Sequence, residues 1–223
     1  MRFSGALWKR ERSFDVLGCA IRLRSDAKDT TRAAGDDQDI LFATIRRPWT
    51  MGLSPFTTNA HDYMGNDYFA VSPFEVGLGR PMYLRLRPAA ASPRDRARAA
   101  ARDRHEGRDA RLARAVGRGE ARFRIDLARG PFGPWTPLVA LSLERAAMVD
   151  DEALRFSPFR AGRGVQPRGF VHGLRAGAYA VSQWARLRST GAPGLTGTVR
   201  ATRPAHDSRS NGQAGHAFAG RAR

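Results

Sequence analysis

The stretch LRFSPFRAGRGVQPRGFVHGLRAGAYAVSQWARLRS, Leu154 to Ser189, governs the reading of the whole chain. Its C-terminal part, Leu174 to Leu187, reads as a helix, and in it Arg175 and Tyr179 stand four residues apart. Residues i and i+4 lie one above the other on a helix, so the guanidinium sits beside the phenol. A tyrosine with a pKa near ~10 stays protonated at neutral pH. A fixed cation beside it favours the phenolate. An Arg–Tyr pair at this spacing is by itself an ordinary stacking pair, so the flanking residues decide what it means.

Ahead of the pair, Glu152, Phe156, Ser157, Pro158 and Phe159 spell E-x-x-x-F-S-P-F, and Arg186-Leu187 follows it. In this order and spacing the run resembles the proximal haem segment of catalases. Tyrosinate is the axial ligand of haem iron in that family. The resemblance implies haem b as cofactor, Tyr179 as the iron ligand, and Arg175 as the residue that holds the phenolate form, which a ferric ion favours further. It also gives Arg186 and Arg2 to the haem propionates. Arg186 is seven residues beyond Tyr179, nearly two turns, and returns to the same helical face. The planar fork of arginine suits bidentate pairing with a carboxylate. The alternative for Arg186 and Arg2 is an ordinary surface arginine.

A second match lies at the start of the chain. Arg2-Phe3-Ser4 is followed by FDVLGCAIRLRS, Phe14 to Ser25, which alternates as a strand does. This resembles the catalase pattern V-R-F-S, a polar connection, then R-G-x-A-x-R/K on a barrel strand. Gly18, Ala20 and Arg22 take the expected places, and the connection is short, as in compact members of the family. The distal His of catalases lies upstream of V-R-F-S, where only Met1 stands. The five histidines, His61, His105, His172, His206 and His216, fall elsewhere. Near Phe42 to Ile45, where the family carries its distal Asn, stand Ala43 and Thr44. Splitting a peroxide needs an acid and base poised to move its proton. The expectation is therefore either a start codon further upstream or a truncated member.

Composition sets outer bounds. The chain has 223 residues, enough for one substantial core, and 42% are hydrophobic. No apolar run approaches the ~20 residues of a membrane span. MRFSGALWKRERS has no apolar h-region, so no secretory signal is expected, and a cytoplasmic location is the default. A single cysteine, Cys19, excludes an intramolecular disulfide. The net charge of +17 would suit an anionic partner. Of 38 basic residues, however, only Lys9 and Lys28 are lysine, a skew that follows composition more than a binding surface. Aromatic residues are not interleaved with the densest arginine run, as base stacking would require.

Along the chain, Asp26 to Asp39 reads as a polar loop and Ile40 to Ile45 as a short strand. Arg46 to Phe69, broken by Pro48, Gly52, Pro55 and Gly65, is irregular, with one helical turn at Thr58 to Met64. A hairpin follows, with arms Phe69 to Val76 and Met82 to Arg87. Ser92 and Pro93 open a helical region to Val116 that Gly107 interrupts, expected to be solvated outside the barrel. Ala121 to Gly130 and Thr136 to Arg145 are strands, and a helix near Asp150 leads into the Phe156 motif.

These readings combine into an α+β fold, an antiparallel β-barrel with surrounding and C-terminal helices. The resemblance makes it a catalase-like haem domain over residues 1–189, and residues 190–223 read as a disordered basic Gly/Ala/Arg tail. Three functions stay open. The first is a catalase- or peroxidase-type enzyme acting on hydrogen peroxide or organic hydroperoxides. The second is a non-catalytic haem-binding relic, and the third a basic nucleic-acid-associated protein. A homo-oligomer is left open. His61-Asp62, His105-Glu106 and Gly162 to Gly169 lack the second ligand, the second His and the Lys-Ser/Thr that metal, zinc-protease and P-loop sites need.

Overall fold

Short runs with period-two alternation and few helix-forming stretches give a chain built on strands. The computed structural model describes residues 1–7, 13–24, 31, 33–46, 48–70, 72–76, 79–89, 106–147, 149–150, 154–160, 162, 164–168 and 197–202. Ten strands are present: β1 (Arg2–Gly5), β2 (Leu17–Leu23), β3 (Gln38–Ala43), β4 (Tyr68–Phe69), β5 (Phe74–Val76), β6 (Pro81–Pro88), β7 (Arg122–Ala128), β8 (Thr136–Ala146), β9 (Val165–Pro167) and β10 (Gly197–Thr202). They form one antiparallel sheet in the order β1-β2-β3-β4-β6-β7-β8-β10, with β5 paired to β6 and β9 paired to β5. The described helices are α1 (Ser54–Thr57) and α2 (Arg108–Gly117), with 3₁₀ turns at Pro48–Leu53 and Tyr63–Gly65. The result is a mostly-β, curled antiparallel half-barrel with two short helices, consistent with α+β.

Register puts the apolar residues on one face. Phe3 lies opposite Cys19, and Cys19 opposite Phe42. Tyr68 lies opposite Leu86, Leu86 opposite Ile125, and Phe123 opposite Leu141. The sheet curls around Phe3, whose ring centroid is 5.1 Å from Tyr63, 5.7 Å from Tyr68 and 5.3 Å from Phe123. Contact between β1 and β7, which are far apart in the strand order, is what closes the core. Leu112 of α2 is buried in the same cluster.

Several local expectations change on contact with the tertiary structure. A 3₁₀ turn at Tyr63–Gly65 overlaps the turn expected at Thr58 to Met64, and further helical turns cover Pro48–Thr57, where prolines fit a first turn that needs no N–H. The first arm of the hairpin is split into β4 and β5. Strand β7 keeps an unbroken register against β6, with Asp126 opposite Arg85, while against β8 the register shifts between Ile125 and Asp126, where Leu138 of β8 is the extra residue. Asp126 is fully buried, and Arg85 and Arg124 pair with it at 2.7 Å and 2.6 Å. Helix α2 starts after Gly107, the residue expected to interrupt this region, but Arg108 and Leu112 are buried rather than solvated. Residues 90–105 lie outside the described set. Leu154 to Arg160 are not helical, although Leu154 N donates one helix-like bond to Asp150 O at 3.0 Å. Gly197–Thr202, within the stretch read as a tail, pairs with β8.

A buried ion pair joins the pieces at one end of the sheet. Asp15 is fully buried and accepts from Leu7 N at 2.9 Å, Val16 N at 2.8 Å and Arg108 Nη1 at 3.0 Å. Arg108 also donates to Ala60 O at 3.2 Å and lies over the Tyr63 ring. One carboxylate thus ties the β1–β2 connection to α2 and to the loop before β4. Breaking such a pair leaves an uncompensated buried charge, which costs about 3–5 kcal/mol. Arg108→Met should therefore lower the unfolding free energy by about that amount in urea titrations, with the mid-point rather than the slope carrying the change. A loss below 1 kcal/mol would show that the pair is dispensable.

The core also fixes a pH response. Burial pushes the Cys19 thiol and the Tyr68 phenol well up, and pushes Tyr63 up with help from neighbouring Asp109. All three are protonated in both states below their ordinary values, about 8.5 for Cys and 10 for Tyr, and their contribution is complete there. Above those values the unfolded chain releases protons that the folded chain keeps, so stability falls with rising pH. Urea mid-points should be level from pH 7 to about 8 and drop steeply above about 9. Tyr63→Phe should make that drop shallower.

Candidate functional site

Antiparallel connections alternate between the two ends of the sheet. The β1–β2, β3–β4 and β6–β7 connections lie at one end, with Asp15 and α2. The β2–β3 and β7–β8 connections and the β5–β6 hairpin lie at the other, where the start of β1 carries Arg2. The segment Leu154 to Arg168 docks at this second end.

Its docking is built on two adjacent residues at the start of β3. Asp39 lies opposite Arg22 on the face away from the apolar core. Arg22 holds it with both arms, Nε to Oδ1 at 2.7 Å and Nη2 to Oδ2 at 3.0 Å. The same carboxylate accepts from Ser157 N at 2.9 Å and meets Arg160 Nε at 3.3 Å. Arg22 in turn donates to the carbonyl of Arg155 and sits 4.9 Å above the Phe156 ring. Gln38 completes the clamp: its Nε2 donates to Arg160 O at 2.7 Å and its Oε1 accepts from Gly162 N at 2.7 Å. Gly162 is needed here. A Cβ at that position would meet Asp36 O at 2.5 Å and Asp37 O at 2.9 Å, both rigid backbone. Beyond it, β9 pairs with β5, and Arg168 reaches Glu75 at 2.6 Å. A shallow groove lined by Ala33, Ala34, Gly35, Ser157, Phe159 and Arg160 runs along the contact.

Arg2, proposed from sequence as a propionate partner, lies opposite Ala20 and so shares the face that carries Arg22, one alternate position away. Its side chain is half-buried. Arg175, Tyr179 and Arg186, and with them Glu152 and His172, lie outside the described residues. So do His105, His206 and His216. His61 is exposed in the β3–β4 connection, at the end opposite the F-S-P-F segment. Among the described residues, no group of three His, Cys, Asp or Glu side chains could hold a metal ion. The buried Cys19 thiol is held protonated, which removes it as a nucleophile. No helix among the described residues is long and apolar enough to cross a membrane.

The sequence reading missed Gln38 and Asp39, which fell at the end of a stretch read as a polar loop. The available signal was a carboxylate just before an apolar strand, facing the Arg22 of the preceding strand. Only the register makes that pairing visible. Compared with models of known protein families the chain matches none, and no curated protein matches it.

Removing the Asp39 carboxylate would strand Arg22, whose side chain is only 5% exposed. Asp39→Ala should destabilise the fold by about 3–5 kcal/mol. It should also speed proteolysis and amide exchange across residues 154–168 more than elsewhere. A uniform increase over the whole sheet would show that the carboxylate does not specifically hold this segment.

Proposed function

We propose that the chain is a haem-binding protein of the catalase-like type, acting on hydrogen peroxide or organic hydroperoxides. In this reading the half-barrel and the segment that follows it form a catalase-like haem domain. Tyr179 ligates the iron, Arg175 keeps its oxygen as phenolate, and Arg186 and Arg2 meet the propionates. One observation supports it above others. The two runs that resemble catalases, Arg2 to Arg22 and Glu152 to Leu187, are more than a hundred residues apart in sequence. Arg22, Asp39 and Ser157 nevertheless join the first run directly to the Phe156–Phe159 part of the second. The half-buried Arg2, on the same face, suits a carboxylate of a ligand seated at that end of the sheet.

Bound haem would supply the iron at which the peroxide O–O bond is cleaved. The residues of the chain would bind and orient it: a phenolate favoured by the Arg175 charge, and guanidiniums fixing the propionate edge. A second reading, haem binding without turnover, draws on the position of His61. It is the one histidine among the described residues, and it lies at the wrong end of the sheet to move a peroxide proton near this site.

Expressed with haem available, the protein should show the spectrum of high-spin, tyrosinate-ligated ferric iron. Tyr179→Phe keeps the bulk of the ring and deletes the coordinating oxygen, so it should abolish that spectrum. Arg175→Leu should weaken binding less. Peroxide consumption above that of free haem separates the enzyme from the non-catalytic reading. An unchanged spectrum in Tyr179→Phe would reject the ligand assignment and direct attention to His172.

A further inference from the structure

Five large apolar side chains are exposed at the end of the sheet opposite the candidate site: Leu7, Phe14, Met51, Leu53 and Phe56. They come from two connections, β1–β2 and β3–β4. The Phe14 and Phe56 rings stack at 6.1 Å between centroids, which joins the two segments into one patch. Phe56 is 76% exposed and Leu53 66%.

The element that carries Met51, Leu53 and Phe56 is amphipathic in the inverted sense. Two of its polar residues, Ser54 and Thr58, face inward, while Thr57 is exposed. Ser54 is buried and donates to Thr50 O at 2.9 Å. Thr58 is buried and donates to Ser54 O at 2.7 Å, its hydroxyl is hydrogen-bonded to that of Thr44 at 2.8 Å, and Thr44 in turn accepts from Leu17 N of β2 at 3.1 Å. These bonds fix which side of the turn meets the protein, and so they hold the apolar side chains outward. An ordinary surface helix is oriented by burying its apolar stripe. A contiguous apolar patch held against water marks a docking surface.

The net charge of the chain selects the occupant. Arg46, Arg118, Arg122 and Arg145 are exposed on connections and strand ends at this same end of the sheet, interspersed with exposed Asp109, Glu120 and Glu144. The chain as a whole carries +17. Two copies at that charge repel each other, whereas an anionic surface attracts both. Apolar insertion combined with basic residues is the pair of signals that holds a protein on an anionic membrane.

We propose that this tip docks onto an anionic lipid surface, with Phe56, Leu53 and Met51 entering the headgroup boundary and arginines at the same end of the sheet meeting lipid phosphates. The haem reading plays no part in this proposal. The full-length protein should co-sediment with phosphatidylglycerol-containing vesicles and not with pure phosphatidylcholine vesicles. Salt near 1 M, where the screening length falls to ~3 Å, should release it. The triple substitution Met51→Ser, Leu53→Ser, Phe56→Ser should weaken vesicle binding by at least about tenfold, with circular dichroism and Tm unchanged. Phe132→Ser, exposed on the β7–β8 connection at the other end, should bind as the parent does. Four outcomes would overturn the proposal. They are no binding to anionic vesicles, full binding by the triple variant, a dimer that the triple substitution abolishes, and a fall in Tm showing that the patch is covered within the chain.

Discussion

Four carboxylates, Asp15, Asp37, Asp39 and Asp126, are buried with almost no exposure, and each faces an arginine. Asp15 meets Arg108 at 3.0 Å, Asp37 meets Arg24 at 3.3 Å, Asp39 meets Arg22 at 2.7 Å and Asp126 meets Arg85 at 2.7 Å. A buried charge without its partner costs several kcal/mol, so these pairs must form together with the sheet that buries them. They sit at the joints of the fold: α2 to the β1–β2 connection, the Phe156 segment to β3, and β7 to β6. The apolar face supplies the driving force, and the ion pairs determine which loops and helices meet it.

This constraint also gives part of the arginine content a structural use. Arg22 holds both carboxylate oxygens of Asp39, reaches the backbone of Arg155, and covers the ring of Phe156. Arg85 pairs with Asp126 while stacking 4.6 Å above Trp135. A planar fork performs two or three such tasks at once, and a lysine ammonium performs one. The high positive charge is therefore divided. Some guanidiniums are neutralised inside the structure, and others stay exposed, where they shape how the surface meets anions.

The two ends of the sheet are unlike. At one, the resemblance to catalases gathers around Arg2, Arg22 and the Phe156–Phe159 turn, clamped by Gln38 and Asp39. At the other, Asp15 and Arg108 lock down the connections, and a polar-anchored turn displays Leu53 and Phe56. Since antiparallel connections alternate, a chain that folds this way separates two surfaces without a second domain.

Strands β2, β6, β7 and β8 were legible in the sequence, because alternation reports directly which residues share a face. The motifs F-S-P-F and R-F-S were legible as patterns, and with them the candidate ligands Tyr179 and Arg2. The joints between elements were not. Asp39 looked like the end of a polar loop, Asp126 like the outward member of an alternating strand, and Arg108 like part of a solvated arginine-rich helix. Each is buried because a partner distant in sequence arrives beside it: Ser157 and Arg160 at Asp39, Arg85 at Asp126, Asp15 at Arg108. Periodicity is a local property and survives in one dimension. Charge pairing depends on register and on which strands become neighbours, and only the folded chain sets those.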